Sequence, residues 1–314
     1  MRKIIVLFLI FTKILNAQES NDKVIYLDSL GVEVSKDNYF YKKVIKEFDL
    51  DKSEYKFYKY YQSGNLYQEG FIDKKVDGKF INEILIYDKK GNKENSTFFV
   101  DGKPLGKVKK WYENGSLKEE GEFNNNSWES GLSYKVESFW DENNNKLVVD
   151  GNGLYKIIDK YISESGSLKN GYKDGIWKGE SFVNKSNFTE IYKDGNFISG
   201  ISEDKEGNRI DYVKLMIKPE PKNGMKDFYK FIGKNFRYSK EGEKLNVKGK
   251  IFVQFVVDKT GKIVEPKIIR SLGYGLDEEA IRVILKYENW IPGKLKGINV
   301  RVSYSIPISL QGVQ

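Results

Sequence analysis

The sequence predicts a mainly β protein in two parts: an elongated array of β-hairpins, then a small α+β domain of two helices and a three-stranded antiparallel sheet. Three observations carry this expectation. One kind of turn motif returns again and again along residues 55–209. The chain holds 21 Tyr and 19 Phe, residue types that strands pack well. Residues 249–310 read strand, turn, strand, helix, strand with unusually clean periodicity.

At the start of the chain, Arg2 and Lys3 precede an apolar run over residues 4–15 that Thr12 and Lys13 interrupt, and Leu15-Asn16-Ala17 ends in a small residue before Gln18. This is the pattern of an export signal, so residues 1–17 are expected to be a cleaved signal peptide. The run is about a dozen residues, whereas spanning a bilayer takes about 20. An uncleaved, short inner-membrane anchor is the alternative. Membrane association is expected only in that case, because no later segment is apolar enough to span. Residues 18–54 are irregular and are expected to cap the repeat region.

Residues 55–213 read as a degenerate repeat. The copies include YYQSGNLYQEG (60–70), YDKKGNKEN (87–95), WYENGSLKEEGEF (111–123), WDENNNKLVVDG (140–151) and YISESGSLKNGYKDG (161–175). Their expected turn residues are Gly64, Gly91, Gly115, Asn144 and Gly166, spaced by 27, 24, 29 and 22 residues. Glycine or asparagine is needed where the chain takes positive φ, and aromatic residues on either side make each copy a hairpin. A lone hairpin buries too little to stand. Hairpins of similar length stacked side by side would bury a continuous aromatic ladder. The aromatic side chains are therefore read first as core, with glycan or peptide binding as the alternative.

Residues 214–223, with Pro219 and Pro221, are the expected linker. In the terminal domain, 224–314, a short helix is expected near 227–235 and strands over 250–257 and 262–270, joined by the tight-turn signal Asp258-Lys259-Thr260-Gly261. Leu276, Ala280, Val283, Ile284 and Tyr287 form one helical stripe. Asp277, Glu278 and Glu279 at the start and Lys286 at the end suit the helix dipole. Trp290 and Pro292 are read as packing and turn residues. Val300, Val302, Tyr304, Ile306, Ile308 and Leu310 then alternate with polar residues as a last strand.

Counting excludes much chemistry. The chain has no His and no Cys. Hydrolases that need an imidazole base, ordinary zinc sites and disulfide frameworks are all ruled out. No nucleophile–base pair, phosphate loop or metal cluster is evident, so neither enzymatic activity nor a cofactor or metal is expected. The net charge is +8, and residues 219–314 carry 18 Lys/Arg against 10 Asp/Glu. On an exported chain this surface does not imply nucleic acid.

Residues 253–263, the helix opening LDEEAIRVI (276–284), the block WIPG (290–293) and the ending GINVRVSYSIPI (297–308) together resemble the C-terminal domain of TonB, which couples inner-membrane energy to outer-membrane transporters. The resemblance covers about residues 219–314. The upstream units, WYENGSL (111–117) and GIWKGESF (175–182) above all, resemble MORN repeats and their bacterial variant. The TonB resemblance implies that the final strand docks an extended partner peptide, with Val300, Arg301, Val302, Ser303, Tyr304, Ser305 and Ile306 as the edge. It implies a periplasmic or cell-envelope location and, as partner, the TonB box of an outer-membrane transporter in transmembrane transport. Pro307 independently suits an edge strand, since it cannot donate to a ladder. Pairing in a homodimer is the other use of such a strand. Two alternatives stand beside this reading: a true energy transducer on the short anchor, and an envelope structural or glycan-binding repeat protein.

Overall fold

The computed structural model describes residues 21–125, 133–288 and 290–312; the expected signal peptide lies outside them. The chain divides into two compact units, residues 1–125 with 140–146, and residues 126–139 with 147–314. The expected mainly β architecture is present, as sixteen strands of an antiparallel hairpin array in chain order followed by an α+β region.

The first unit holds β1 (Lys23–Leu27), β2 (Tyr41–Ile45), β3 (Tyr55–Tyr61), β4 (Leu66–Ile72), β5 (Phe80–Tyr87), β6 (Lys93–Val100), β7 (Lys103–Trp111) and β8 (Leu117–Phe123). Each pairs antiparallel with its neighbour in sequence. Ile45, Tyr55, Phe57, Ile72 and Ile84 form its core. Residues 21–52 supply the first hairpin, and Tyr41 of β2 lies opposite Tyr61 of β3.

The second unit continues with β9 (Tyr134–Trp140), β10 (Lys146–Val149), β11 (Asn152–Ile158), β12 (Ile162–Lys169), β13 (Tyr172–Ser181), β14 (Ser186–Lys193), β15 (Asn196–Glu203) and β16 (Arg209–Tyr212). The anticipated aromatic ladder runs through it. Phe139, Tyr155, Trp177, Tyr192, Phe197 and Tyr212 follow one another at centroid separations of 4.8 to 6.3 Å. Such ring pairs add to the area they bury.

Two turn types recur along the array. In the first, an N–H donates four residues ahead and a left-handed residue donates back, as Asp88 N to Asn92 O at 2.9 Å with Gly91 N to Asp88 O at 3.1 Å. Gly64, Gly91, Gly115 and Asn144 hold the left-handed position, at φ +92°, +92°, +81° and +63°. The second type is a two-residue turn with both φ positive, at Asp101-Gly102, Asp150-Gly151, Asn170-Gly171 and Asp194-Gly195. Their φ signs suit the right-handed twist of a hairpin.

Gly166 departs from expectation. It lies inside β12, opposite Trp177, and the turn of its copy is at Asn170-Gly171. A Cβ on Gly166 would stand 2.5 Å from the Trp177 ring. Its glycine is dictated by the indole that covers it, not by φ.

After the array come β17 (Met216–Ile217), β18 (Glu220–Pro221), α1 (Gly224–Asn235), α2 (Lys240–Lys244), β19 (Gly249–Val257), β20 (Ile263–Arg270), α3 (Leu276–Leu285), β21 (Trp290–Ile291), β22 (Gly293–Leu295), β23 (Ile298–Val300) and β24 (Val302–Leu310). The anticipated three-stranded sheet is present in the order β20–β19–β24. The predicted stripe of α3 is buried, with Leu276, Ala280, Val283 and Ile284 at 0 % exposure and Tyr287 at 3 %. It packs with Phe228 and Ile232 of α1 on the alternate residues Ile251, Val253, Phe255 and Val257 of β19. Among the described residues this region has three helices rather than two. The extra helix, α2, is a single turn capped by Ser239, whose Oγ accepts from Gly242 N at 2.9 Å. One turn is too short to leave a periodicity in sequence.

Candidate peptide-docking edge

β24 pairs in unbroken register with β19, from Val302 opposite Val257 to Leu310 opposite Gly249. It ends the sheet. Among the described residues no backbone hydrogen bond reaches its other flank.

The expected edge residues fall into three groups. Val300 belongs to β23, where it pairs with Gly293 and is buried. Arg301 is the break between strands, and its guanidinium meets Glu265 Oε1 at 2.6 Å. Only Val302, Ser303, Tyr304, Ser305 and Ile306 lie in β24, which continues through Leu310. The alternating sequence pattern runs on past Arg301 without a visible break.

On β24, Ile306, Ile308 and Leu310 turn into the core, while Ser303, Ser305 and Ser309 are exposed. Tyr304 is half-buried, its ring 5.9 Å from Phe255 and 5.3 Å from Trp290. It therefore fixes the strand on the core. Trp290 also meets Phe228 at 5.3 Å, so it packs as its sequence position suggests. Backbone groups alternate in direction along a strand. Pro307 has no N–H, so its place in an intact edge is with that position facing away from β19. Ser303, Ser305 and Ser309, two residues apart in step with it, then present N–H and C=O groups outward.

The hairpin β22–β23 is anchored far more firmly. Its two-residue turn is Lys296-Gly297, at φ +50° and +80°. Lys296 is 7 % exposed and pairs with Glu190 of β14, itself 0 % exposed. The Tyr192 and Tyr212 hydroxyls donate to the Glu190 carboxylate at 2.9 and 2.7 Å. Burial pushes both phenols up from their ordinary range, with the carboxylate adding to it. The Lys296 ammonium stands 3.8 Å from the Phe188 ring centre. Ser202 donates to Lys296 O at 2.7 Å, Lys296 N donates to Leu215 O at 2.7 Å, and Asn184 donates to Leu295 O at 3.1 Å. Nothing in the sequence singles out Lys296 or Glu190, which lie 106 residues apart in a chain of 53 Lys/Arg and 45 Asp/Glu.

No curated protein matches the chain. Residues 234–310, from the end of α1 through β24, match the family model of the Gram-negative bacterial TonB protein C-terminal.

Proposed function

We propose that this protein is an exported, non-enzymatic component of the cell envelope whose terminal domain binds an extended segment of another protein by strand addition. The open flank of β24, nine residues long and paired on one side alone, is the observation that carries the reading. The match of residues 234–310 to the TonB C-terminal model supports it. So does the signal-like pattern of residues 1–17. Among the described residues no helix is long and apolar enough to cross a membrane.

The partner on this reading is the periplasmic TonB box of an outer-membrane transporter. Residues 55–213 serve as a MORN-like scaffold behind residues 18–54, with 214–223 joining them to the binding domain at 224–314.

Main-chain bonds would contribute most of the affinity. Ser303 and Ser305 together offer four outward groups. At about 0.5–1.5 kcal/mol net each, they give roughly 2–6 kcal/mol, close to the 4 kcal/mol or so of a millimolar complex. Selectivity must then come from side chains, with Ser303 and Ser305 nearest the incoming strand and Arg301 at its end.

Amide hydrogen exchange on the full chain tests this. The Ser303 and Ser305 amides should exchange freely in the monomer and become protected when a TonB-box peptide is added, while Val302, Tyr304 and Ile306 are protected throughout. Protection of Ser303 and Ser305 in the free monomer would sink the reading. Protection that grows with protein concentration, without peptide, would assign the edge to a homodimer instead.

A further inference from the structure

Lys43 of β2 and Lys59 of β3 are direct cross-strand partners. They share the face that carries Ile45 and Phe57, the core face of the first unit. Both are half-buried. Among the described residues neither makes an ion pair with a carboxylate. Their nearest polarisable neighbours are rings: Lys59 Nζ is 4.0 Å from the Tyr41 centroid and 5.2 Å from Tyr67, and Lys43 Nζ is 5.0 Å from Phe57. Tyr41 and Tyr67 stack on each other at 4.7 Å.

Like charges placed directly opposite each other in a sheet are destabilising, and partial burial adds a desolvation cost to each. Elsewhere in this unit lysines find acids readily, as Lys79 does with Asp101 and Lys90 with Glu113. The Lys43–Lys59 pair is thus an unfavourable arrangement that an anion between the two ammonium groups would relieve. Burial holds both amines below the ordinary lysine range, and for Lys59 the charge of Lys43 adds to the effect.

Charge matching selects the class of anion. Two cations balance one dianion. A phosphate monoester carries about −1.5 to −2 near neutral pH, whereas a carboxylate would leave one ammonium unmatched. Both lysines are half-buried, with ring centres 4.0 to 5.2 Å from their ammonium groups, which favours a small anionic group over a flat bilayer surface. We infer that Lys43 and Lys59 form a binding site for the phosphate monoester group of a small soluble ligand, such as a sugar phosphate.

The test uses the full chain, with glucose 6-phosphate as probe, glucose and chloride at equal ionic strength as controls, and vesicles bearing a phosphate-monoester lipid as a third arm. Hydrogen exchange of β2–β4 amides is the readout. Glucose 6-phosphate should slow exchange saturably and glucose should not. Lys43→Gln and Lys59→Gln should each weaken the probe about tenfold or more, the effect of losing one charge-assisted contact. In probe-free buffer the same substitutions should slow exchange of these strands relative to wild type, because they remove the repulsion. A merely structural lysine pair would not yield this opposite pair of effects. The inference is overturned if glucose 6-phosphate gives no more protection than glucose, if both variants bind it like wild type, or if only the vesicles bind.

Discussion

Lys296→Met removes the charge that the hairpin tip brings to Glu190. The Glu190 carboxylate then stays fully buried with only the Tyr192 and Tyr212 hydroxyls as donors. Breaking a buried pair from one side costs about 3–5 kcal/mol, because the remaining charge is uncompensated. The two phenols keep the expected loss nearer the lower end. Glu190→Gln leaves the opposite orphan, an ammonium 3.8 Å from the Phe188 centroid, at a similar cost. The double variant leaves neither charge of this pair behind, with the neighbouring Lys173–Glu164 pair intact, and replacing a pair by neutral groups is often close to neutral. It should therefore cost no more than either single change, which gives a coupling energy of roughly 3 kcal/mol. Against a total stability of about 5–15 kcal/mol for a domain, that is readily measured. The assay is hydrogen exchange of the amides of 293–300 and of β14–β16 in the full chain, supported by urea unfolding. A loss under about 1 kcal/mol for Lys296→Met would refute the reasoning, because no such buried charge would be exposed to that cost. So would a double variant whose loss equals the sum of the singles.

Other perturbations give distinct signatures. Gly166→Ala places a methyl 2.5 Å from the Trp177 ring and should destabilise the second unit by about 1–3 kcal/mol or more, read by denaturant midpoint and near-ultraviolet circular dichroism. Ser305→Pro removes one outward N–H from β24 and should weaken a strand-adding peptide about tenfold, whereas Ser305→Ala, which keeps that N–H and loses only the side-chain contribution, should weaken it less; peptide titration decides. The Glu279 carboxyl is held below its ordinary range, first by the hydrogen bond from Arg282 and also by the bond from Arg237 N at 2.7 Å. A depressed carboxylate contributes stability that is present above its unfolded pKa and lost as pH falls through its folded one. The gap in stability between wild type and Glu279→Gln should therefore close as pH drops below the ordinary glutamate range.

Most of the backbone was legible because its causes are local. A left-handed residue at a turn needs Gly or Asn, so Gly64, Gly91, Gly115 and Asn144 mark their turns directly. The α3 stripe is a single-helix property, and all five of its residues are buried. The misses have non-local causes. Gly166 looks like a turn glycine in the string ESGSL, and only the indole from the next strand reveals why it is small. Arg301 interrupts a pattern that alternates perfectly, because the break comes from the Val300–Gly293 pairing rather than from any residue preference. Pairing of Lys296 with Glu190 leaves no trace in composition, since charged side chains far apart in sequence read as solvated surface.

Residues 293–310 meet two opposite requirements on either side of one residue. Up to Val300 the chain is tied down: the Lys296 backbone N–H and C=O and its ammonium all have partners. From Val302 onward the strand uses one flank and leaves the other bare. A packing defect would leave polar groups unsatisfied in the interior, where each costs about 1–3 kcal/mol. Here the unused groups belong to a strand whose Ser303, Ser305 and Ser309 are exposed, where water can satisfy them. The two requirements should therefore separate experimentally. Lys296→Met should speed exchange across 293–300 while peptide protection at Ser303 and Ser305 persists, and Ser305→Pro should do the reverse. Loss of both properties in either variant would mean that anchoring and docking are one cooperative element, contrary to the division at Arg301.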